Sequence, residues 1–266
     1  MIRRKRWLAA LLVAGSLGAA SCTEVVNPAT GERQLTSLTP EDEARMGRSE
    51  HPKVTAEFGG AYQDRQLQAY VERIGRRLVD VSELKGQSFT FTVLDSDIVN
   101  AFALPGGYVY VTRGLLALAD NEAEVAGVLG HEIGHVTARH TAQRYDKAVQ
   151  GQLGATAAQL GGALLGATAY VQGYSREQEF ESDQLGIRYL ERAGYDPRGM
   201  GSFLAALQAN DELQTKLAGG RRQEVPTWMR SHPRTPDRVR RAAEEAAEKD
   251  ASRGRVARDE FLAAID

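Results

Sequence analysis

Two histidines and a glutamate carry the strongest chemical signal in the chain. His131-Glu132-Ile133-Gly134-His135 spells H-E-x-x-H. On a helix, residues four apart lie about 40° apart around the axis and roughly 6 Å along it, so both imidazoles project from one face. One divalent ion fits between them, and Glu132 stands beside them, within reach of water on that ion. The run from Glu122 to Gly130 supplies the helix that the motif needs. The bland alternative is a pair of surface histidines on an amphipathic helix. A catalytic zinc takes three protein ligands and keeps one position open. For the third ligand the chain offers His51, His140 and His232, or a carboxylate from the acidic run Ser175–Asp183. Glu179 and Asp183 are four apart and share a helical face. One of them can bind metal while the other holds the free nitrogen of a ligand histidine. Glu177 and Glu181 fall elsewhere on that helix and read as solvated charges. Spacing alone leaves these choices open.

The elements that must position these residues are legible in outline. Leu67, Tyr70, Val71, Ile74, Leu78 and Val81 recur at spacings of three and four, which predicts an amphipathic helix. Phe89, Phe91 and Val93 alternate with threonines and predict a strand over 88–95, and Gly106-Gly107 introduces a second strand, Tyr108–Thr112. From Asn121 onward the pattern is almost wholly helical. The expected fold is α+β, predominantly helical, with a small β-sheet beside the active-site helix; a doubly wound sheet is excluded. Residues 148–175 carry no charge, but glutamines interrupt them and alanine and glycine dominate. They read as a helical cover over the cleft, or a face touching lipid or a partner, rather than a membrane span.

Composition narrows the class. The chain has 266 residues with 33 Lys+Arg against 35 Asp+Glu, a net charge of -2, which argues against a nucleic-acid partner. A single cysteine, Cys22, excludes an internal disulfide framework. Arg3, Arg4, Lys5 and Arg6 precede an uncharged apolar run, Leu8–Ala20, and then Ser21 and Cys22. This is the layout of a signal peptide over 1–21. The small residues before Cys22 resemble a bacterial lipobox, with Ala19 where leucine is usual. The expectation is a lipidated Cys22 and a polar tether over 22–40, followed by one domain over 41–266. Thr23 in place of aspartate favours the outer membrane, with the body facing the periplasm.

A wider resemblance then becomes specific. Asn27-Pro-Ala-Thr-Gly, the run Asn100-Ala-Phe-Ala-Leu-Pro-Gly-Gly-Tyr-Val-Tyr-Val-Thr-Arg-Gly-Leu-Leu, the H-E-x-x-H motif, Ser175-Arg176, Glu179-x-x-x-Asp183 and Ser231-His232-Pro233 resemble a gluzincin metallopeptidase family. That family includes the membrane protease HtpX and the CAAX-prenyl proteases, and within it the chain resembles the BepA-like and LoiP-like periplasmic proteases and lipoproteins. The resemblance implies a zincin-type domain with one Zn2+ held by His131, His135 and Glu179, and with Glu132 as the base. Asp183, His232 and Arg176 are the supporting candidates. Arg176 and His232 could each stabilise an oxyanion; His232 could equally latch the open zinc position or cap a helix. Gly107, Tyr108, Val109 and Tyr110 are expected to form an edge strand to which an extended substrate adds. The implied activity is degradation of unfolded or misassembled envelope proteins. The alternative is a non-proteolytic assembly factor for outer-membrane proteins on the same scaffold. Oligomeric state is not readable.

Overall fold

The computed structural model describes residues 23–151, 173–217, 232, 236–252 and 254–266. The strands are β1 (Thr23–Val26), β2 (Arg33–Thr36), β3 (Thr90–Leu94), β4 (Ala101–Leu104) and β5 (Tyr108–Thr112). The helices are α1 (Pro40–Glu57), α2 (Arg65–Val79), α3 (Arg113–Leu118), α4 (Glu122–Thr137) and α5 (His140–Gly151), then α6 (Arg176–Arg192), α7 (Gly199–Leu217), α8 (Pro236–Ala247) and α9 (Arg258–Ile265). The fold is α+β and mainly helical, as the sequence pattern predicts. Cys22 and the preceding segment lie outside the described residues, as does most of the uncharged stretch 148–175. No helix among the described residues is long and apolar enough to cross a membrane.

Helix α4 runs through the middle of the core. Fifteen of its sixteen residues are buried, so it packs on every side, unlike a surface helix with one apolar stripe. Asn121 caps its start by accepting from the Glu124 amide. Helix α6 lies against it where both are narrow. A Cβ on Gly130 would sit 3.2 Å from Gly186, and one on Gly186 would sit 2.9 Å from the His131 amide. Side chains at either place would push the helices apart. A capping box between Ser175 and Gln178 starts α6 and sets the phase that turns both Glu179 and Asp183 toward α4.

Two expectations are corrected. First, β5 is not an edge strand. The three-stranded sheet has the order β3-β5-β4. Tyr108 pairs with both Thr90 and Leu104, and Val109 and Tyr110 are likewise paired on both sides. With both its hydrogen-bonding edges taken, β5 has none to offer. The outer strands are β3 and β4, and β4 turns into β5 through Pro105-Gly106-Gly107, with φ of 79° at Gly106 and 85° at Gly107. Second, residues 23–36 are a folded hairpin, not a tether. β1 and β2 pair antiparallel. Their loop closes on Asn27, whose amide donates to the Glu32 carbonyl at 2.8 Å and whose Oδ1 accepts from the Ala29 amide at 2.9 Å. Asn-Pro and Gly are hairpin-loop residues here. Asn27 is buried and its Nδ2 donates to the Ala138 carbonyl at 3.2 Å, pinning the hairpin to the end of α4.

Candidate metal centre

His131, Glu132 and His135 all project from α4 into one buried space. Glu179 meets them from α6, and His232 meets them from the segment before α8. One nitrogen or carboxylate oxygen from each of His131, His135, Glu179 and His232 lies within 4.8 Å of the others. His131 Nε2 is 3.0 Å from His135 Nε2 and 3.1 Å from His232 Nδ1. Glu179 Oε1 is 3.0 Å from His232 Nδ1 and 3.4 Å from His135 Nε2. A tetrahedral zinc with ligands at about 2.05 Å has edges of about 3.3 Å. These four separations lie close to that edge length, and a neutral imidazole has only one proton with which to bridge such contacts. Charge agrees as well. Three buried carboxylates (Glu132, Glu179 and Asp183) stand around one buried arginine, Arg238, and a dication would balance the remainder. The donor set therefore fits zinc.

The shell around the cluster is built from charge. Asp183 Oδ1 lies 2.9 Å from His131 Nδ1, the position that fixes a ligand histidine with Nε2 toward a metal. Arg238 grips Asp183 with two bonds, from Nε at 2.8 Å and Nη2 at 2.7 Å. It also pairs with Glu179 through Nη1. Burial raises the Glu179 carboxyl, but His232 and Arg238 outweigh it and hold the group well below the usual range. Burial likewise opposes ionisation of Asp183, and the Arg238 charge and the bond to His131 overcome it. Glu132 differs. Burial pushes its carboxyl up, against the pull of His232 and His131, and neither of its oxygens has a hydrogen-bond partner among the described residues. His232 Nε2 is 3.4 Å from Glu132 Oε1.

A cleft of about 410 Å³ opens beside the cluster, lined by His135 and Tyr174, by Ala103 and Leu104 of β4, and by Val25 and Val26 of β1. Tyr174 lies flat on His135, with centroids 3.8 Å apart and planes 20° apart.

Not every candidate enters the site. Arg176 is exposed and paired with Asp237 at 3.0 Å, so it is committed to the surface. His51 bonds the Tyr110 hydroxyl at 2.7 Å and is absent from the four-donor cluster. Glu181 is no free surface charge, because it bonds His140 at 3.1 Å. Arg238 escapes the sequence reading altogether; its only signal is a place in a charge-rich helix after the His232 loop.

A mainly helical α+β domain with H-E-x-x-H on a buried helix and a carboxylate from the next packed helix defines the zincin class of metallopeptidase. Residues 65–246 match the model of peptidase family M48, and the chain belongs to that family. It is 31% identical over 255 residues to the beta-barrel assembly-enhancing protease of Yersinia pestis, covering 87% of this chain and 51% of the relative. It is 34% identical over 161 residues to the protein of that name in Escherichia coli, covering 54% and 33% respectively. It is 28% identical over 256 residues to the mitochondrial metalloendopeptidase OMA1 of Schizosaccharomyces pombe, covering 91% and 72%. The chain thus spans about half or less of the beta-barrel assembly-enhancing proteases it matches.

Proposed function

We propose that the chain is a zinc-dependent endopeptidase of the cell envelope that degrades misfolded or misassembled envelope proteins. One observation carries this reading. Glu132 is buried beside a four-donor cluster and no donor among the described residues satisfies its carboxylate. A buried acid left without donors costs stability and serves no packing need. His131, His135 and Glu179 would hold the metal. Zinc, when bound, supplies a Lewis acid that polarises the scissile carbonyl and makes water acidic enough to attack near neutral pH. Glu132, its carboxyl raised by burial, takes the proton of the attacking water and returns it to the leaving amine. Asp183 and Arg238 hold His131 and Glu179 in place during both transfers.

Substrate is assigned to the outer edge of β4. The Thr112 amide donates to the Asn100 carbonyl at 3.0 Å. Alternation along the antiparallel pair then turns the backbone groups of Ala101 and Ala103 away from β5. An extended peptide added there would lie in the cleft beside His135. Main-chain pairing of this kind accepts many sequences, which suits unfolded protein. His232 is the fourth donor of a resting, latched state, and substrate entry requires its segment to swing away. Attachment to the outer membrane through a lipidated Cys22 completes the reading. The names of the bacterial relatives support an envelope role.

The test is degradation of an unfolded envelope protein with and without a zinc chelator, beside Glu132→Gln. Chelator-insensitive cleavage, or full activity in that variant, would overturn the proposal.

A further inference from the structure

The two histidines on α4 are supported in different ways. His131 Nδ1 meets a carboxylate directly, at Asp183. His135 Nδ1 instead meets a third histidine, with His140 Nδ1 at 2.8 Å. The far nitrogen of His140, Nε2, lies 3.1 Å from Glu181 Oε2. His140 is fully buried. The other polar neighbour of its Nδ1 is the Ser182 hydroxyl, at 3.5 Å.

A contact between residues five apart is not what a continuous helix makes, since five steps of 100° turn the second side chain about 140° from the first. The chain breaks helical geometry between α4 and α5 to make it. Arg139 has φ of 57°, a left-handed conformation rare for a residue with a side chain. Its guanidinium is buried and bonds Glu43 Oε2 at 2.9 Å and the Leu38 carbonyl at 2.6 Å. Contacts from α1 and from the link between β2 and α1 therefore hold the turn in place. Such a conformation persists where the surroundings over-determine it, and here it returns His140 to His135.

We propose that Glu181, acting through His140, fixes the tautomer of His135 and so makes it a metal ligand. The inference rests on the zinc reading above and follows from where protons can sit. A carboxylate only accepts, so Glu181 places a proton on His140 Nε2. Neutral His140 then has a bare Nδ1, which accepts from His135 Nδ1–H. His135 is left with a lone pair on Nε2, and that atom faces His131 and Glu179. The opposite arrangement puts a proton on His140 Nδ1. It would force the His135 proton onto Nε2, into the position of the metal, and would leave His140 Nε2 facing a carboxylate lone pair to lone pair. His140 and Glu181 are thus positioning residues: they touch neither substrate nor metal. A buried relay of this length does for His135 what Asp183 does directly for His131.

The test is zinc affinity of the full chain by competition with a chromogenic chelator, with melting temperatures of the metal-free proteins alongside. His140→Asn keeps an acceptor near His135 Nδ1 and is expected to hold zinc within about threefold of wild type, whereas His140→Phe fills the space without an acceptor and is expected to lose roughly 10–100-fold. Glu181→Ala is expected to lose less, because His140 can still adopt the required tautomer unaided. Equal affinity in the Asn and Phe variants overturns the proposal, since a packing role does not distinguish them by their acceptor. If His140→Phe fails to fold, Glu181→Ala decides; its site is partly exposed, and unchanged affinity there overturns the relay. A wild-type chain that binds no zinc overturns the metal reading itself, an outcome distinct from variants that bind as wild type does.

Discussion

Helix α4 carries three buried glutamates, and two of them, Glu122 and Glu132, ten residues apart, live in opposite conditions. Glu122, in the first turn, is 2% exposed and Glu132 is 1% exposed. Glu122 accepts from the Tyr70 hydroxyl at 2.6 Å, the Tyr195 hydroxyl at 2.7 Å and Arg255 Nε at 3.2 Å. It ties α2, the turn before α7 and the C-terminal segment to one helix end, where the helix dipole also favours an anion. Burial opposes its charge, but the bonds from Tyr70, Arg255 and Tyr195 overcome it and hold the carboxyl below its ordinary value. Glu132 has no hydrogen-bond donor among the described residues, and its carboxyl is pushed up. The same residue type at the same depth is satisfied by the fold at the start of α4 and, among the described residues, left without donors further along it.

Exchanging each charge for a neutral group should separate the two roles. Glu132→Gln should cost roughly 10²–10⁴-fold in peptide hydrolysis, the usual worth of a general base. Zinc content should stay near one per chain, and the melting temperature should hold or rise, because an uncompensated buried charge has gone. Lower stability with residual activity would make Glu132 a structural group like Glu122. Glu122→Ala should do the reverse. It strands two buried tyrosine hydroxyls and should cost about 3 kcal/mol in denaturant unfolding, with activity per folded molecule unchanged.

The same comparison has a pH arm. The folded pKa of Glu122 lies below its ordinary 4.5, so the folded state binds fewer protons than the unfolded chain near that pH. The stabilisation is fully present above about pH 4.5 and is lost as pH falls through the lower, folded value. The gap in melting temperature between wild type and Glu122→Gln should therefore be flat from neutral pH to about 5 and shrink below 4. A gap that grows on acidification would reverse the sign of the shift.

Asp183→Asn should come next in size. It keeps the shape beside His131 but removes the charge that Arg238 grips. Zinc affinity should fall roughly 10–100-fold, and full affinity would mean that the Asp183–His131 contact orients nothing.

The site was readable where its geometry is local. His131, Glu132 and His135 follow from the helical period, as does the shared face of Glu179 and Asp183; the choice of Glu179 needed the family resemblance. What escaped depends on distant packing. Nothing near Arg238 distinguishes it from Arg240 and Arg241 on the same helix, and its burial is decided by α6. The His135–His140 contact needs a left-handed turn at Arg139, where the sequence has no glycine to announce one. β4 has four buried residues in a row, so it lacks the alternation that marked β3, and without β4 the neighbouring β5 looked like an edge. The hairpin at 23–36 was hidden by loop residues that resemble those of a linker.

The smallest expected effect is at His232, and it bears on how the unsatisfied Glu132 is kept in check. In this conformation His232 Nδ1 stands among the donors while Nε2 faces Glu132. If His232 is a latch, it fills the open ligand position and leaves Glu132 no substrate to serve. His232→Ala should then raise peptidase activity by a few-fold, about 1 kcal/mol at the exponential scale of rates. It should also weaken zinc slightly, since one of four donors is lost. Oxyanion stabilisation by the same imidazole predicts the opposite sign, a fall in kcat. A role confined to anchoring the segment before α8, where Arg238 Nη1 reaches the His232 carbonyl at 3.5 Å, predicts lower thermal stability with activity unmoved. The sign of the change in kcat, measured at saturating zinc, separates the three, and only a rise is consistent with a latch held closed until substrate arrives.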